Sequence, residues 1–433
     1  MALPTEFELR CGDVRLLSFE LGEDALGTPY AALGDIDGDK AHLLPWGLSL
    51  SDAGVFEWLQ RRALPHNRAN ARRIAAELGF RQGDLRGAYA ITLGLSLNDS
   101  YWTPPAGYPG GFADVNLYEN GFSEALFSVA FDGRGTAHPA LTPEFTTNGT
   151  LRKAWRVDAG GARVLCKGGT EGWVPGEPAS EVIVSSIAVA AGLDAVRYGM
   201  EERAGDELMS VCECFCSPSV SFSPFACATG VTDLTGTIAF AGTMGDDSVE
   251  RLADMLVLDA LVANTDRHFG NFGLLRDSAR GGAIGFAPIF DNGRGLLPRL
   301  RDEELPEASY ELATLAPAFG GGDFGQLASR VIGEEQLDWI ERLAAGGLNE
   351  ALGETAMVYP RLSGRAGAIR GILSERLDAL RRLPPVDHRA LARTAREVVA
   401  GREPAGRPEA AHRVNYARAE SVPPHEMPRA ARR

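Results

Sequence analysis

The spacing of apolar and polar residues divides the chain into stretches of different texture. From residue 1 to about 125 strand-like and helical pieces mix. GVFEWLQRRALP and NRANARRIAAELGF predict two short helices broken at Pro65, with Asn67 or Asn70 as caps. Residues 96–112, SLNDSYWTPPAGYPGGF, are dense in Pro, Gly and aromatics, the texture of an irregular, packed loop. From 126 to about 230 the pattern becomes one of short strands and turns. Leu126–Phe131, Trp155–Val157 and Arg163–Lys167 predict a small antiparallel sheet, and a helix follows from Pro178 to Gly192. Strands Arg197–Glu202 and Glu207–Phe215 complete this region. After about 230 the chain turns mainly helical. VERLADMLVLDALVAN predicts a largely buried helix capped by Asp247 or Ser248. A hairpin of Phe272–Leu275 and Ala283–Ile289 comes next, then helices to about 383. Residues 384–433 carry ten Arg against six Asp plus Glu, with little apolar periodicity, and read as an at least partly disordered tail.

Composition narrows the function classes. A length of 433 residues, 45% hydrophobic and 23% charged, allows two to four globular domains. A net charge of −15 opposes a protein that coats nucleic acid, because neutralising phosphates requires clustered cations. No signal pattern and no membrane-length apolar run is present, and six cysteines are few for this length, so a cytoplasmic, reducing location is expected. Cys212, Cys214 and Cys216 alternate as on one face of a strand and lack the usual zinc spacing, which favours buried structural thiols. Of the 43 basic residues only Lys40, Lys153 and Lys167 are lysines. A lysine in such a chain points to a site that wants a compact ammonium.

Polar side chains concentrate where the buried helix ends, at Asn264-Thr-Asp-Arg-His-Phe-Gly-Asn271. The following hairpin returns Asp291 towards the same end, so that Asp266, Asn271 and Asp291 can converge. Hard oxygen ligands for Mg²⁺ and one carboxylate to orient a hydroxyl are what phosphoryl transfer from ATP asks of a protein. Asn271 and Asp291 suit the metal and Asp266 the hydroxyl; the bland alternative is an Asx-rich helix end. Lys167 closes a strand, and Glu181, fourteen residues on, lies in the first turn of the next helix, placed to hold the ammonium over phosphates. Glu177 competes for that pairing. A loop containing Gly149 and leading to Lys153 can offer backbone N–H groups to phosphate, although taken alone an ordinary hairpin turn is the better reading. If the strand ending near Phe215 enters an interlobe connector, the backbone from Glu213 to Phe215 can meet an adenine. No His or Ser spacing supports a metalloprotease or a serine hydrolase.

With Asn264-Thr-Asp-Arg-His-Phe-Gly-Asn271 and Pro288-Ile-Phe-Asp291, the stretch from about 126 to 383 resembles HipA-like serine/threonine kinases. The resemblance implies Asp266 as catalytic base, Asn271 and Asp291 as magnesium ligands and Lys167 as the ATP-binding lysine. Gly149 and Lys153 match the family's phosphate loop, and Thr146 stands where the naming toxin carries an autophosphorylated Ser. It further implies a two-lobed, protein-kinase-like α+β fold: a small β-rich lobe over 126–230 and a helical lobe over 231–383, preceded by a mixed N-terminal domain over 1–125. ATP, Mg²⁺ and a protein substrate are the expected partners, with an antitoxin or regulatory partner as a further one. Other readings of the same scaffold are a small-molecule kinase, an AMP transferase and a non-catalytic binding module.

Overall fold

Strands and helices fall into blocks along the chain, and the structure, a computed structural model, describes residues 3–65, 71–122, 151–170, 176–203, 207–320 and 322–401. The expected strand Leu126–Phe131, the loop with Thr146 and Gly149, and the candidate caps Asn67 and Asn70 lie outside the described residues.

In the first block β1 (Glu6–Cys11), β2 (Val14–Glu23), β3 (Pro29–Ile36) and β4 (Tyr101–Trp102) form an antiparallel sheet in the order β3-β2-β1-β4. Strand alternation puts Phe7, Leu9 and Cys11 of β1 on the inner face. They share a core with Leu59 of α1 (Asp52–Arg62), Ile74 of α2 (Ala71–Glu77) and Tyr89 of α3 (Leu85–Thr92). Ser51 starts α1, its Oγ accepting the Gly54 N–H at 3.1 Å. A short α4 (Phe112–Val115) closes the block.

The second block is the sheet expected from the strand pattern. Here β5 (Lys153–Val157), β6 (Arg163–Lys167), β7 (Tyr198–Arg203) and β8 (Glu207–Glu213) pair antiparallel in the order β5-β6-β8-β7. Their register sets Lys167 opposite Lys153 on one side and Ser210 on the other. Strand β8 ends two residues before the expected Phe215, since the chain leaves it for a tight turn in which Ser217 and Val220 exchange backbone hydrogen bonds. The cysteine alternation is broken accordingly: Cys212 and Cys216 are buried, while Cys214 is half-buried. Helix α5 (Gly176–Ala191) lies against the sheet with Ala179, Val182, Ile183 and Ile187 wholly enclosed, and Gly192 at φ +78° ends it.

The third block combines a sheet β11-β10-β9, made of β9 (Val220–Pro224), β10 (Gly273–Asp277) and β11 (Ala283–Phe286), with most of the helices. After α6 (Phe225–Thr229) and α7 (Leu234–Met244), helix α8 (Asp246–Val262) runs through the main core, apolar nearly all round. It begins earlier than expected: Asp247 and Ser248 lie in its first turn, and Gly245 at φ +126° is the entry residue. Of the helices α9 (Ser309–Thr314), α10 (Phe324–Ser329), α11 (Glu334–Arg342), α12 (Leu348–Val358), α13 (Ser363–Ala368) and α14 (Arg370–Leu380) that follow, α10, α11 and α14 pack against it, and α12 packs on α5.

Helical structure continues past 383. Residues 388–401 form α15 (His388–Gly401), which packs on α7 through buried Ala392 and Ala395, with Arg396 donating to the Gly242 carbonyl at 2.7 Å. Ala392 fills the space that a side chain at Gly242 would take, so the helices meet through small residues. Leu391, Ala392, Ala395, Val398 and Val399 do recur at helical spacing, but the Arg-rich composition of the stretch reads as a tail. Among the described residues no helix is long and apolar enough to cross a membrane.

Candidate active site

Lys167 is the electrostatic centre of the site. Buried at the end of β6, its Nζ donates to Glu181 Oε1 at 3.0 Å and to Asp291 Oδ1 at 2.9 Å, with the Tyr198 hydroxyl of β7 at 3.4 Å. Burial alone would lower the ammonium's pKa, yet the Asp291 and Glu181 carboxylates raise it well above the usual lysine value. Glu181 moves up, because burial outweighs its Lys167 partner. Asp291 moves down: burial opposes ionisation, but Lys167, with Lys153 and Arg267 beyond, holds its carboxyl below the ordinary range. The competing carboxylate is used elsewhere, since Glu177 pairs with Arg294 at 3.1 Å and accepts the Thr170 N–H at 2.6 Å.

Asp291 stands at φ +60°, a left-handed conformation that Asp tolerates better than most residues. Its own N–H points to the Tyr198 hydroxyl at 3.3 Å, and the next N–H, of Asn292, donates to Glu181 Oε2 at 2.8 Å. Glu181 thus holds the lysine with one oxygen and the Asp291 loop with the other. About a third of the Asp291 side chain, 37%, remains open, which leaves it accessible to a ligand.

The loop after α8 is tied from within. Asn264 Oδ1 accepts the Asp266 N–H at 3.1 Å, and Asn271 Nδ2 donates back to the Asp266 carbonyl at 2.8 Å and to its Oδ2 at 3.3 Å. The amide nitrogen of Asn271 is therefore engaged, while Asn271 Oδ1 and Asp291 Oδ2 have no hydrogen-bond donor among the described residues. Both are hard oxygens on one cavity, a donor set that fits Mg²⁺ better than a soft metal.

That cavity has a volume of about 530 Å³. Lys153, Lys167, Asn271 and Asp291 line it, together with Trp155, Leu165, Glu213, Phe215, Phe222 and Phe290. Phe215, Phe222 and Phe290 form an aromatic cluster with ring centroids 5.4 to 5.7 Å apart. Burial pushes the Cys212 thiol up to about 12, so it is inert there. Asp266 does not itself line the cavity and borders it through Asn271 and His268.

Sequence reasoning missed three supports of this arrangement. Arg267, 1% exposed, forms a two-pronged pair with the equally buried Asp259 of α8, Nε to Oδ2 at 2.9 Å and Nη2 to Oδ1 at 3.1 Å. The same guanidinium donates to the Asn271 carbonyl at 2.6 Å, and to the Phe290 carbonyl and Asn292 Oδ1 at 2.5 Å each. One side chain thereby fastens the Asp266–Asn271 loop to the Asp291 loop. A signal was present: an Asp inside the apolar run LVLDALV requires a buried partner. Tyr198 was missed too, as was the contribution of the first block, whose Trp46, Trp58 and Asn98 line the cavity. The first block is held by Arg276 of β10, buried and lowered by that burial to about 10. Arg276 donates to the His42 carbonyl at 2.8 Å and to the Tyr101 hydroxyl, and covers the Trp46 ring at 5.0 Å.

No protein-family model matches the chain, and no curated protein matches its sequence. Among solved structures the chain is similar to the Helicobacter pylori proinflammatory kinase CtkA, at 17% identity over 55% of this chain and 93% of that one, with a TM-score of 0.45. It is also similar to a chain from the Shewanella oneidensis MR-1 toxin–antitoxin complex of HipA, HipB and operator DNA, at 14% identity over 87% of this chain and 100% of that one, with a TM-score of 0.48. Both likenesses are distant ones.

Proposed function

We propose that the chain is an ATP- and Mg²⁺-dependent serine/threonine protein kinase that transfers the γ-phosphoryl group to a protein hydroxyl. The observation that carries this reading is Lys167, clamped between buried Glu181 and Asp291 on a cavity that Asn271 and Asp291 also line. In this reading the sheet β5–β8 with α5 is a small lobe, the helices from 231 onward a large one, and residues 1–125 a further domain.

Each residue then has a task. Lys167 presents a fixed ammonium to phosphate oxygens, and Glu181 prevents it from folding away. Phe215, Phe222 and Phe290 give the base an apolar bed, and the backbone from Glu213 to Phe215 supplies its hydrogen bonds. Lys153 adds charge beside the phosphates, with Gly149 in the loop before it and Thr146 as a candidate autophosphorylation site. Asn271 Oδ1 and Asp291 Oδ2 would hold magnesium, which when bound neutralises the charge that builds on the phosphates. Asp266 accepts a hydrogen bond from the incoming hydroxyl and aims its lone pair at phosphorus.

The test uses purified protein with ATP labelled at the α or the γ position. Label should transfer from γ only, Asp266→Ala should abolish transfer while MgATP still binds, and Asp291→Ala should lose both. Transfer from α would assign nucleotidyl chemistry instead, and unchanged activity in both variants would refute the site.

A further inference from the structure

The stretch 96–102 that the sequence leaves without a task forms a side wall of the cavity. It grips the connector after β8 and the strand β9. The Asn98 carbonyl accepts the Phe222 N–H at 2.6 Å, the Leu97 carbonyl accepts the Cys214 thiol at 3.2 Å, and Ser100 Oγ donates to the Pro218 carbonyl at 2.7 Å. The Asn98 N–H is itself engaged, donating to Ser96 Oγ at 3.0 Å. Asn98 is therefore pinned by its main chain beside Phe222, at the aromatic end of the cavity.

Its side chain is used differently. The amide is half-buried, lines the same cavity as Lys167 and Asp291, and bonds none of the described residues. A carboxamide offers an acceptor and a two-hydrogen donor side by side, and in this half-buried wall no described residue takes either. The complement of such an edge is an adjacent donor and acceptor on a ligand, as an adenine or a ribose presents.

We propose that Asn98 is a specificity-determining residue of the nucleotide site, its amide hydrogen-bonding the nucleoside of ATP while Lys167 and Asp291 hold the phosphate end. This rests on the nucleotide reading above and extends it: the N-terminal block supplies part of the nucleotide pocket in addition to packing against the rest of the chain.

The test is titration calorimetry of MgATP, MgGTP and Mg-2′-deoxy-ATP against the full chain, Asn98→Ala, Asn98→Asp and Lys167→Ala. The isosteric Asp keeps the shape and removes the donors; melting without nucleotide checks all three variants for folding, and Lys167→Ala is titrated at a temperature where it is folded. Both Asn98 variants should melt as the wild type does and bind MgATP about three- to tenfold more weakly, the loss of one or two hydrogen bonds. The preference for ATP over one analogue should shrink in both: over GTP if the amide meets the base, over the deoxynucleotide if it meets the ribose. Wild-type affinity in both Asn98 variants, alongside weakened binding in Lys167→Ala, would overturn the role of Asn98 and leave the nucleotide reading standing. Unweakened binding in Lys167→Ala as well would overturn both.

Discussion

Replacing Arg267 by methionine removes the guanidinium from the centre of the site while keeping an unbranched apolar stem. Asp259, 1% exposed, would be left with only the Asn264 amide at 2.9 Å. Stranding one member of a buried ion pair costs about 3–5 kcal/mol. The Asn271 and Phe290 carbonyls and Asn292 Oδ1 each lose a donor as well, about 1 kcal/mol apiece and partly overlapping with the first loss. The expected total is about 4–6 kcal/mol, a large share of the 5–15 kcal/mol that typically separates folded from unfolded states. Urea titrations of Arg267→Met, Asp259→Leu and the double variant measure it. Because the double variant strands no charge, it should be more stable than the sum of the singles by about 2–3 kcal/mol. Arg267→Lys separates folding from function: an ammonium satisfies the charge of Asp259 but cannot also span the two loops. It should fold and transfer phosphate at least about tenfold more slowly, since the Asn271 and Asp291 loops are no longer tied. A loss below about 1 kcal/mol in Arg267→Met, or additive singles, would refute the reasoning.

Three further outcomes are expected. Lys167→Met strands Glu181, whose side chain is 4% exposed, and should cost about 3 kcal/mol or more in urea melts, a cost that a paired Glu181→Leu change largely relieves. Gly47→Ala places a Cβ 2.4 Å from the Cys227 carbonyl at φ +73°; it should destabilise by about 1–3 kcal/mol and speed proteolysis between the first block and the rest, and unchanged cleavage would count against a rigid contact there. The depressed Asp291 carboxyl contributes stability that is fully present above the unfolded value near 4 and is lost as pH falls through the lower folded one. The urea midpoints of wild type and Asp291→Asn should therefore keep a constant gap from about pH 5 to 9 and converge in acid; a gap that varies through neutral pH would assign the titration to another group.

Local features of the site were legible because they follow from short-range chemistry. Lys167 at a strand end, Glu181 one helical turn into the next helix and the Asx-rich end of α8 are fixed by period, turn and cap signals that act over a few residues. The buried apolar helix was legible for the same reason. The reading failed where composition was weighed above period or a turn intervened: α15 lies in an Arg-rich stretch despite its helical spacing, and β8 ends where a turn overrides strand propensity.

What the amino-acid order could not decide is which carboxylate the lysine takes and what holds two distant loops together. Glu177 and Glu181 lie one turn apart on α5, and only the placement of Arg294 and of the Asn292 N–H sends the first away and draws the second in. Arg267 meets Phe290 and Asn292 across more than twenty residues, and Asn98 meets Phe222 across more than a hundred. The sequence by itself determined the chemical groups and their local presentation, since both depend on neighbours along the chain. The tertiary structure decided their pairing, because the burial and charge that select partners arise only when remote segments exclude water together.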